Sequence, residues 1–324
     1  VAGETDEQAL RAPESPETAL AGLAGAAQGY AQEARAPATR RAYQGDWDRF
    51  QAWATLHGLA ARPAAPETIG LYLAFLAQQG RKVSTIDRAL AAISCAHGPE
   101  GRELRRHPAV REVLAGIHRT KGVAPKKKRA IENDLLAMLV ATITGEGLRP
   151  ARDRALLLLG WTLGCRRSEL AQLDIEHVAW VDQGLRVLIA RGKTDQEGAG
   201  RHVGIPHAAE PKLCPVRQLR AYLDLLGAEQ GPLFRRVTAT GAPGERLSPK
   251  SIADVVKRAA GAAGFPADDF GGHSLRAGFI TAAYRDGKSL AAIMQHTGHR
   301  SERVALGYVR LATLFDDNPA DGLL

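Results

Sequence analysis

Aromatic side chains between Thr39 and Trp53 recur at helical spacing: Tyr43, Trp47 and Phe50 stand at i, i+4 and i+7, and Trp53 lies beside the same stripe. The pattern predicts a helix from about Thr39 whose aromatic face is buried core rather than a platform for stacking bases. Arg40, Arg41 and Arg49 fall off or beside that stripe, where they are placed to reach phosphates. Upstream, Ser15-Pro16-Glu17 reads as a helix start, with Ser as the cap and Pro at the first helical position. The segment A-L-A-G-L-A-G-A-A-Q-G-Y would form that helix. Pro66-Glu67 opens another through Leu76, Ser84 caps one through Ala96, and Pro108 starts one through His118. Five short helices without a strand signal predict a small helical domain over residues 16–119. Residues 1–15 are acidic, contain Gly and Pro, and lack periodicity, which predicts a disordered tail.

The segment T-K-G-V-A-P-K-K-K-R, residues 120–129, breaks the helical pattern and carries five bases. It reads as a domain linker. Such a run suits a nuclear-import signal, a solvated tether or a strap along a DNA backbone. The strap is favoured, because a linker joining two halves of a clamp must cross the duplex. A second domain is expected over residues 130–311, with helices at about 132–143, 150–163 and 166–173. Strand signals follow at V-A-W-V (178–181), L-R-V-L-I-A (185–190) and R-H-V-G-I-P (201–206), separated by Gly and Asp turns. Helices return at about 215–226, 249–262, 274–285, 289–296 and 301–311. The expected class is mainly α with a small antiparallel sheet, and residues 312–324 form a tail.

Composition narrows the partners. No apolar run approaches the ~20 residues that cross a bilayer, and V-A-G-E-T-D-E lacks the layout of a secretory signal. Cys95, Cys165 and Cys214 are odd in number and lack metal-ligand spacing, which predicts reduced thiols in a cytoplasmic protein with no metal and no cofactor. The formal charge of +8 is unevenly spread. Residues 34–130 hold 18 Lys/Arg against 7 Asp/Glu, whereas residues 1–33 hold one Arg against six acids. A basic surplus in one domain points to a polyanion partner, although a solubilising surface has the same composition.

Several short patterns carry candidate chemistry. Arg166 and Glu169 lie in G-C-R-R-S-E-L, Lys193 in R-G-K-T-D, and His273 and Arg276 in H-S-L-R-A-G. His299 follows in T-G-H, and Tyr308 stands nine residues later. Breaking a phosphodiester with a side-chain oxygen needs a nucleophile, charge on the phosphate oxygens, a proton acceptor and a proton donor. Two guanidinium groups can each bridge two phosphate oxygens. Taken singly, each pattern has a plain reading: R-x-x-E as a helical ion pair, Lys193 as a solvated turn lysine, Tyr308 as a half-buried helix tyrosine. His296, one turn before His299, reads as structural. No phosphate-binding G-x-x-x-x-G-K-[ST] loop occurs.

Together, the order and spacing of these patterns resemble the tyrosine recombinase (phage integrase) family, in particular its compact two-domain members such as Cre and the Xer recombinases. T-R-R-A-Y-x-x-D-W-x-x-F-x-x-W is similar to the family's core-binding domain. The resemblance covers about residues 17–315 and implies a C-shaped clamp around DNA. It implies that Arg166 and Arg276 hold the scissile phosphate, that His273 accepts the tyrosine proton, and that His299 bonds a non-bridging oxygen. Glu169 would orient these groups, Lys193 would protonate the leaving 5′-oxygen, and Tyr308 would be the nucleophile. Contacts to double-stranded DNA would come from Arg40, Arg41, Arg81, Lys82, Arg105, Arg106, Lys126, Lys127, Lys128 and Arg129. The implied function is site-specific recombination through a 3′-phosphotyrosyl intermediate and a Holliday junction, without ATP or a metal. Its assembly would be a dimer on an inverted-repeat site and a tetramer in synapsis, with residues 312–324 exchanged through Leu311, Leu314 and Phe315. No further DNA-binding domain is expected ahead of the helical one. Cys165 and Arg167 depart from the family's apolar flanks. The alternatives are a monomeric type IB topoisomerase and a catalytically silent DNA-binding protein on the same fold.

Overall fold

A computed structural model describes residues 36–122, 128–190 and 200–312, together with Leu20, Leu23, Gly25 and Ala27, which are helical. The helix expected from Ser15, Lys126, Lys127, Lys193 and the tail beyond Ala312 therefore lie largely or wholly outside the described residues. The chain divides into two compact units, Val1–Pro125 and Lys126–Leu324.

The described residues of the first unit form helices joined by loops, with no strand among them. Its elements are α1 (Pro37–Leu56), α2 (Pro66–Gln78), α3 (Val83–Ala96), α4 (Gly101–Arg106) and α5 (Pro108–Lys121). Proline stands in the first turn of α1, α2 and α5, where its missing N–H costs no helical bond. The core gathers Phe50, Ile69, Tyr72, Leu73, Ile86, Leu90, Ile93 and Val110, with Trp47 and Trp53 packed partly buried against it. Trp47, Phe50 and Trp53 of the α1 stripe thus face the interior. One expectation is corrected here. Helix α3 begins at Val83 with Lys82 as its cap, so Ser84 lies inside it. Arg49 is an ion-pair partner of Asp46, whose carboxylate is buried to 2 % exposure and also accepts from Arg88 Nε at 2.7 Å. A buried carboxylate needs that pairing, and the Arg49 side chain remains 57 % exposed.

The second unit is built around α6 (Asn133–Ala141), α7 (Leu148–Thr162) and the five-residue α8 (Arg167–Ala171), shorter than the expected 166–173. A three-stranded antiparallel sheet follows: β1 (Val178–Val181), β2 (Gly184–Ile189) and β3 (Arg201–Pro206), in the order β1-β2-β3. Val187 pairs with Val178 on one side and Val203 on the other. The alternation buries Leu185, Val187 and Ile189 with Val203 and Ile205. The remaining elements are α9 (Pro215–Leu226), the hairpin β4 (Arg235–Val237) and β5 (Pro243–Arg246), α10 (Pro249–Ala262), α11 (Gly272–Arg285), α12 (Leu290–Thr297) and α13 (Glu302–Ala312). The β4–β5 hairpin has no counterpart in the sequence reading, because R-R-V-T-A-T-G-A-P-G-E-R lacks alternating apolar residues.

One large core joins α6, α7, the sheet, α9 and α10. A separate small cluster of Ile280, Ile293 and Val309 packs α13 against α11 and α12. No described helix is long and apolar enough to cross a membrane.

Candidate active site in the second unit

Local backbone chemistry delivers each candidate side chain. Gly164, at φ +54°, takes the left-handed conformation after α7 and turns the chain sharply toward Arg166. A side chain there would meet Phe279 at 2.7 Å. Arg166 is extended and caps α8, and the Glu169 carboxylate closes the turn by accepting the Arg166 backbone N–H at 3.0 Å. The start of α11 is tied by Ser274 Oγ, which accepts from Gly271 N at 3.1 Å. His273 and Arg276 lie three residues apart on that helix, His273 exposed and Arg276 buried. Gly298, at φ +68°, ends α12, and the His299 N–H returns to Met294 O at 3.0 Å.

The two arginines differ in their holding. Arg166 Nη1 donates to Glu169 Oε1 at 2.7 Å, and its side chain keeps 18 % exposure. Arg276 is 1 % exposed, and its Nη1 donates to the carbonyls of Gly164 and Thr297, both at 2.7 Å. Its Nη2 lies against the His299 imidazole, 2.8 Å from Nε2 and 3.0 Å from Nδ1. Burial, then the neighbouring Arg166 charge, lower the Arg276 pKa to about 10, so it stays cationic near neutrality. Burial raises the Glu169 pKa, but the Arg166 backbone and side-chain N–H groups, with the Arg201 charge, outweigh it and hold the carboxyl below its ordinary range.

Tyr308 comes from α13 and stands between two imidazoles. Its Oη is 3.0 Å from His273 Nε2, and its ring centroid is 5.8 Å from that of His299. Burial and the Arg276 charge lower the His299 pKa to about 4, so the ring is neutral at physiological pH. A cavity of about 620 Å³ adjoins this end of the site, with His273, Tyr308, Arg303, Lys128 and Arg129 in its wall. Arginine 166, Arg276, His273, His299, Glu169 and Tyr308 therefore converge, from positions 142 residues apart in the chain at the extremes. Lys193 lies outside the described residues.

Sequence reasoning missed three members of the cluster. Arg201, at the start of β3, donates to Glu169 Oε2 at 3.1 Å and to His296 O at 3.3 Å. Its guanidinium lies over Gly298, where an added Cβ would meet it at 2.8 Å. Thr297 supports His299 through its hydroxyl. Buried Cys165 sits beside Glu169 and Arg201; burial first, and then the Glu169 charge, push its thiol pKa up to about 12. Position in the motif gave the only signal for Cys165 and Thr297, and Arg201 had none beyond its strand. His296 bonds Thr162 O through Nε2 at 2.8 Å and stacks on Phe279, a packing role.

The DNA-contact candidates are dispersed. Arg41, Arg81, Lys82, Arg105 and Arg106 are exposed, and Arg40 is half-buried. Lys128 and Arg129 pack on the second unit itself: Lys128 Nζ donates to Asp268 O, and the Arg129 guanidinium lies 5.0 Å from the Phe265 ring centre. Among the described residues no His, Cys, Asp and Glu group could hold a metal ion.

Family models match both units of the chain. The phage integrase family model matches residues 129–314, and the phage integrase N-terminal SAM-like domain model matches residues 30–95. An integrase/recombinase xerD homolog of Selenomonas ruminantium is 36% identical over 292 residues, covering 89% of this chain and 85% of that protein. Tyrosine recombinase XerD of Bifidobacterium longum is 25% identical over 280 residues, covering 82% and 84%. A crystal structure of a lambda integrase dimer bound to a COC' core site shares the fold, with a TM-score of 0.57 at 18% identity, covering 89% of this chain and 93% of that one.

Proposed function

Because the chain belongs to the phage integrase family, we propose that it is a site-specific DNA recombinase that cuts and rejoins strands through Tyr308. The observation that carries this reading is the 3.0 Å contact between Tyr308 Oη and His273 Nε2, beside the buried Arg276 guanidinium. A phenol has a pKa of about 10 and attacks well only when a base accepts its proton. An imidazole titrating near neutrality suits that task.

In the proposed step, Tyr308 Oη attacks the phosphorus in line and its proton passes to His273 Nε2. The bond from phosphorus to the 5′-oxygen breaks, and that oxygen takes a proton from Lys193. Arg166 and Arg276 meet the charge that builds on the non-bridging oxygens. The 3′-phosphotyrosyl ester conserves the bond energy, so a 5′-hydroxyl from a partner strand can reverse the step without ATP. Exchange of one strand per duplex leads through a Holliday junction. Two protomers would occupy an inverted-repeat site and four would form the synapse. Residues 16–119 serve in this reading as the core-binding domain, 120–129 as the linker and 130–311 as the catalytic domain. The tail 312–324 passes to a neighbouring protomer. Arg40, Arg41, Arg81, Lys82, Arg105, Arg106 and the linker bases Lys126, Lys127, Lys128 and Arg129 supply phosphate contacts.

The test is a suicide-substrate trap with a site recovered by footprinting the flanking genomic DNA. Wild type should form a covalent adduct, and Tyr308→Phe should bind DNA with unchanged affinity and form none. An adduct that persists in Tyr308→Phe would remove the assignment. Supercoil relaxation without recombinant products would point to a topoisomerase instead.

A further inference from the structure

Thr297 holds Arg276 through its backbone carbonyl, and its hydroxyl has a second task. Oγ1 lies 2.7 Å from Ile293 O and 2.7 Å from His299 Nδ1. A carbonyl oxygen only accepts, so the single hydroxyl proton goes to Ile293 O. Toward the imidazole the oxygen then has only lone pairs to offer, and Nδ1 must carry the hydrogen. In the neutral ring this leaves Nε2 as the acceptor, and Nε2 is the nitrogen nearer Arg276 Nη2, at 2.8 Å against 3.0 Å for Nδ1.

We propose that Thr297 is a positioning residue: its hydroxyl fixes His299 as the Nδ1–H tautomer, so that any further proton is taken up at Nε2, on the side of Arg276. The groups that face this ring are Arg276, Arg166, Arg201, Glu169 and the Tyr308 ring. Burial first, and then three cations against one carboxylate, keep the imidazole neutral without DNA.

The consequence for catalysis rests on the function proposed above. A phosphate held between Arg166 and Arg276 brings negative charge to the same place, and a nearby anion favours the imidazolium. The Arg276 Nη2–H that Nε2 accepts in the free protein turns to the phosphate. A proton drawn from solvent adds at the Nε2 lone pair so released, and Nε2–H then donates to a non-bridging oxygen. The Nδ1–H bond to Thr297 is unchanged throughout. Neither the hydroxyl nor the ring has to turn, so the donor is set in place before charge develops. Had Oγ1 donated to Nδ1 instead, charging the ring would have required breaking that bond.

The experiment reads the ring directly in the full-length chain without DNA. Histidine is labelled with ¹⁵N and the long-range proton–nitrogen spectrum is recorded at neutral pH, His299 being assigned by its disappearance in His299→Gln. Wild type should show hydrogen on Nδ1 and a bare Nε2, and Thr297→Ser should show the same. Thr297→Val, which removes the hydroxyl at constant size, should move the tautomer ratio about fivefold toward Nε2–H, as expected for losing one hydrogen bond. Hydrogen on Nε2 in wild type, or an unchanged ratio in Thr297→Val, would overturn the proposal. If Thr297→Val fails to fold, the wild-type and Ser spectra still decide it. No DNA enters the measurement, so a chain that forms no phosphotyrosyl adduct would still report its tautomer.

Discussion

The guanidinium of Arg201 lies 3.1 Å from Glu169 Oε2, which makes the first residue of a β-strand a support for the arginine that caps α8. Arg201→Met should leave DNA binding nearly unchanged and slow cleavage roughly 10–100-fold, the range for losing a charge-assisted hydrogen bond. Arg201→Lys should recover only part of the rate, because an ammonium cannot span Glu169 and His296 O as the planar fork does. Single-turnover adduct formation measures both.

Removing the carboxylate that Arg166 and Arg201 share should be more damaging. Glu169→Ala leaves two cations facing one another around a site that is 3 % exposed. A loss of about 3–5 kcal/mol is expected for breaking a buried pair at one partner, read as a lower urea midpoint at constant slope. Glu169→Gln keeps the shape and one acceptor oxygen and should lose less.

The two histidines of α12 and its following turn set an acid dependence. Burial lowers the pKa of both His296 and His299, the latter to about 4 against an ordinary value of 6.5. The unfolded chain therefore binds more protons than the folded one below pH 6.5. Stability is fully present above that value and falls as pH drops from 6.5 toward 4. His299→Gln should flatten this slope in a pH series of denaturation midpoints. Glu169, whose pKa is depressed, acts at lower pH: its contribution holds above the ordinary carboxylate value and is lost as pH falls through its folded one.

Gly278 tests how closely the chain after the linker packs on the catalytic helix. A Cβ there would meet Ile131 O at 1.7 Å. Gly278→Ala should force the 128–131 segment off α11 and cost about 1–3 kcal/mol, as overpacking does. Gly116→Ala on α5, where nothing lies within 4 Å, should be stabilising by up to about 1 kcal/mol. Thermal melts of the two variants make the contrast.

DNA affinity should fall steeply with salt. Each phosphate neutralised by Lys or Arg releases a counterion, giving a logarithmic slope of about −0.9 per contact. A double Arg105→Ala, Arg106→Ala variant should flatten the slope by about two. A titration between low and moderate salt measures it.

Much of this was legible in the sequence, and for physical reasons. The Trp47–Phe50–Trp53 part of the α1 stripe and the alternation in R-H-V-G-I-P follow from periodicities that backbone geometry imposes, so core and sheet could be read directly. The convergence of Arg166, His273, Arg276, His299 and Tyr308 was expected from a resemblance carried by spaced boxes, each of them ordinary alone. What escaped was support. Arg201 reaches Glu169 across 32 residues, and nothing in R-H-V-G-I-P marks its arginine as different from any strand-edge base. The Arg49–Asp46 pair also escaped, because a helical position does not disclose that Asp46, three residues earlier, is buried. The β4–β5 hairpin lacked the alternation on which strand reading depends.

Arg276 is gripped by the carbonyl oxygens of Gly164 and Thr297, atoms that every amino acid possesses. No side-chain substitution at 164 or 297 removes those acceptors; there the hold can only be spoiled by altering the path of the main chain. Substitution at positions 164 and 297 therefore acts through what their side chains permit, an absent Cβ beneath Phe279 and a hydroxyl beside His299, while the cation's heading comes with the fold itself.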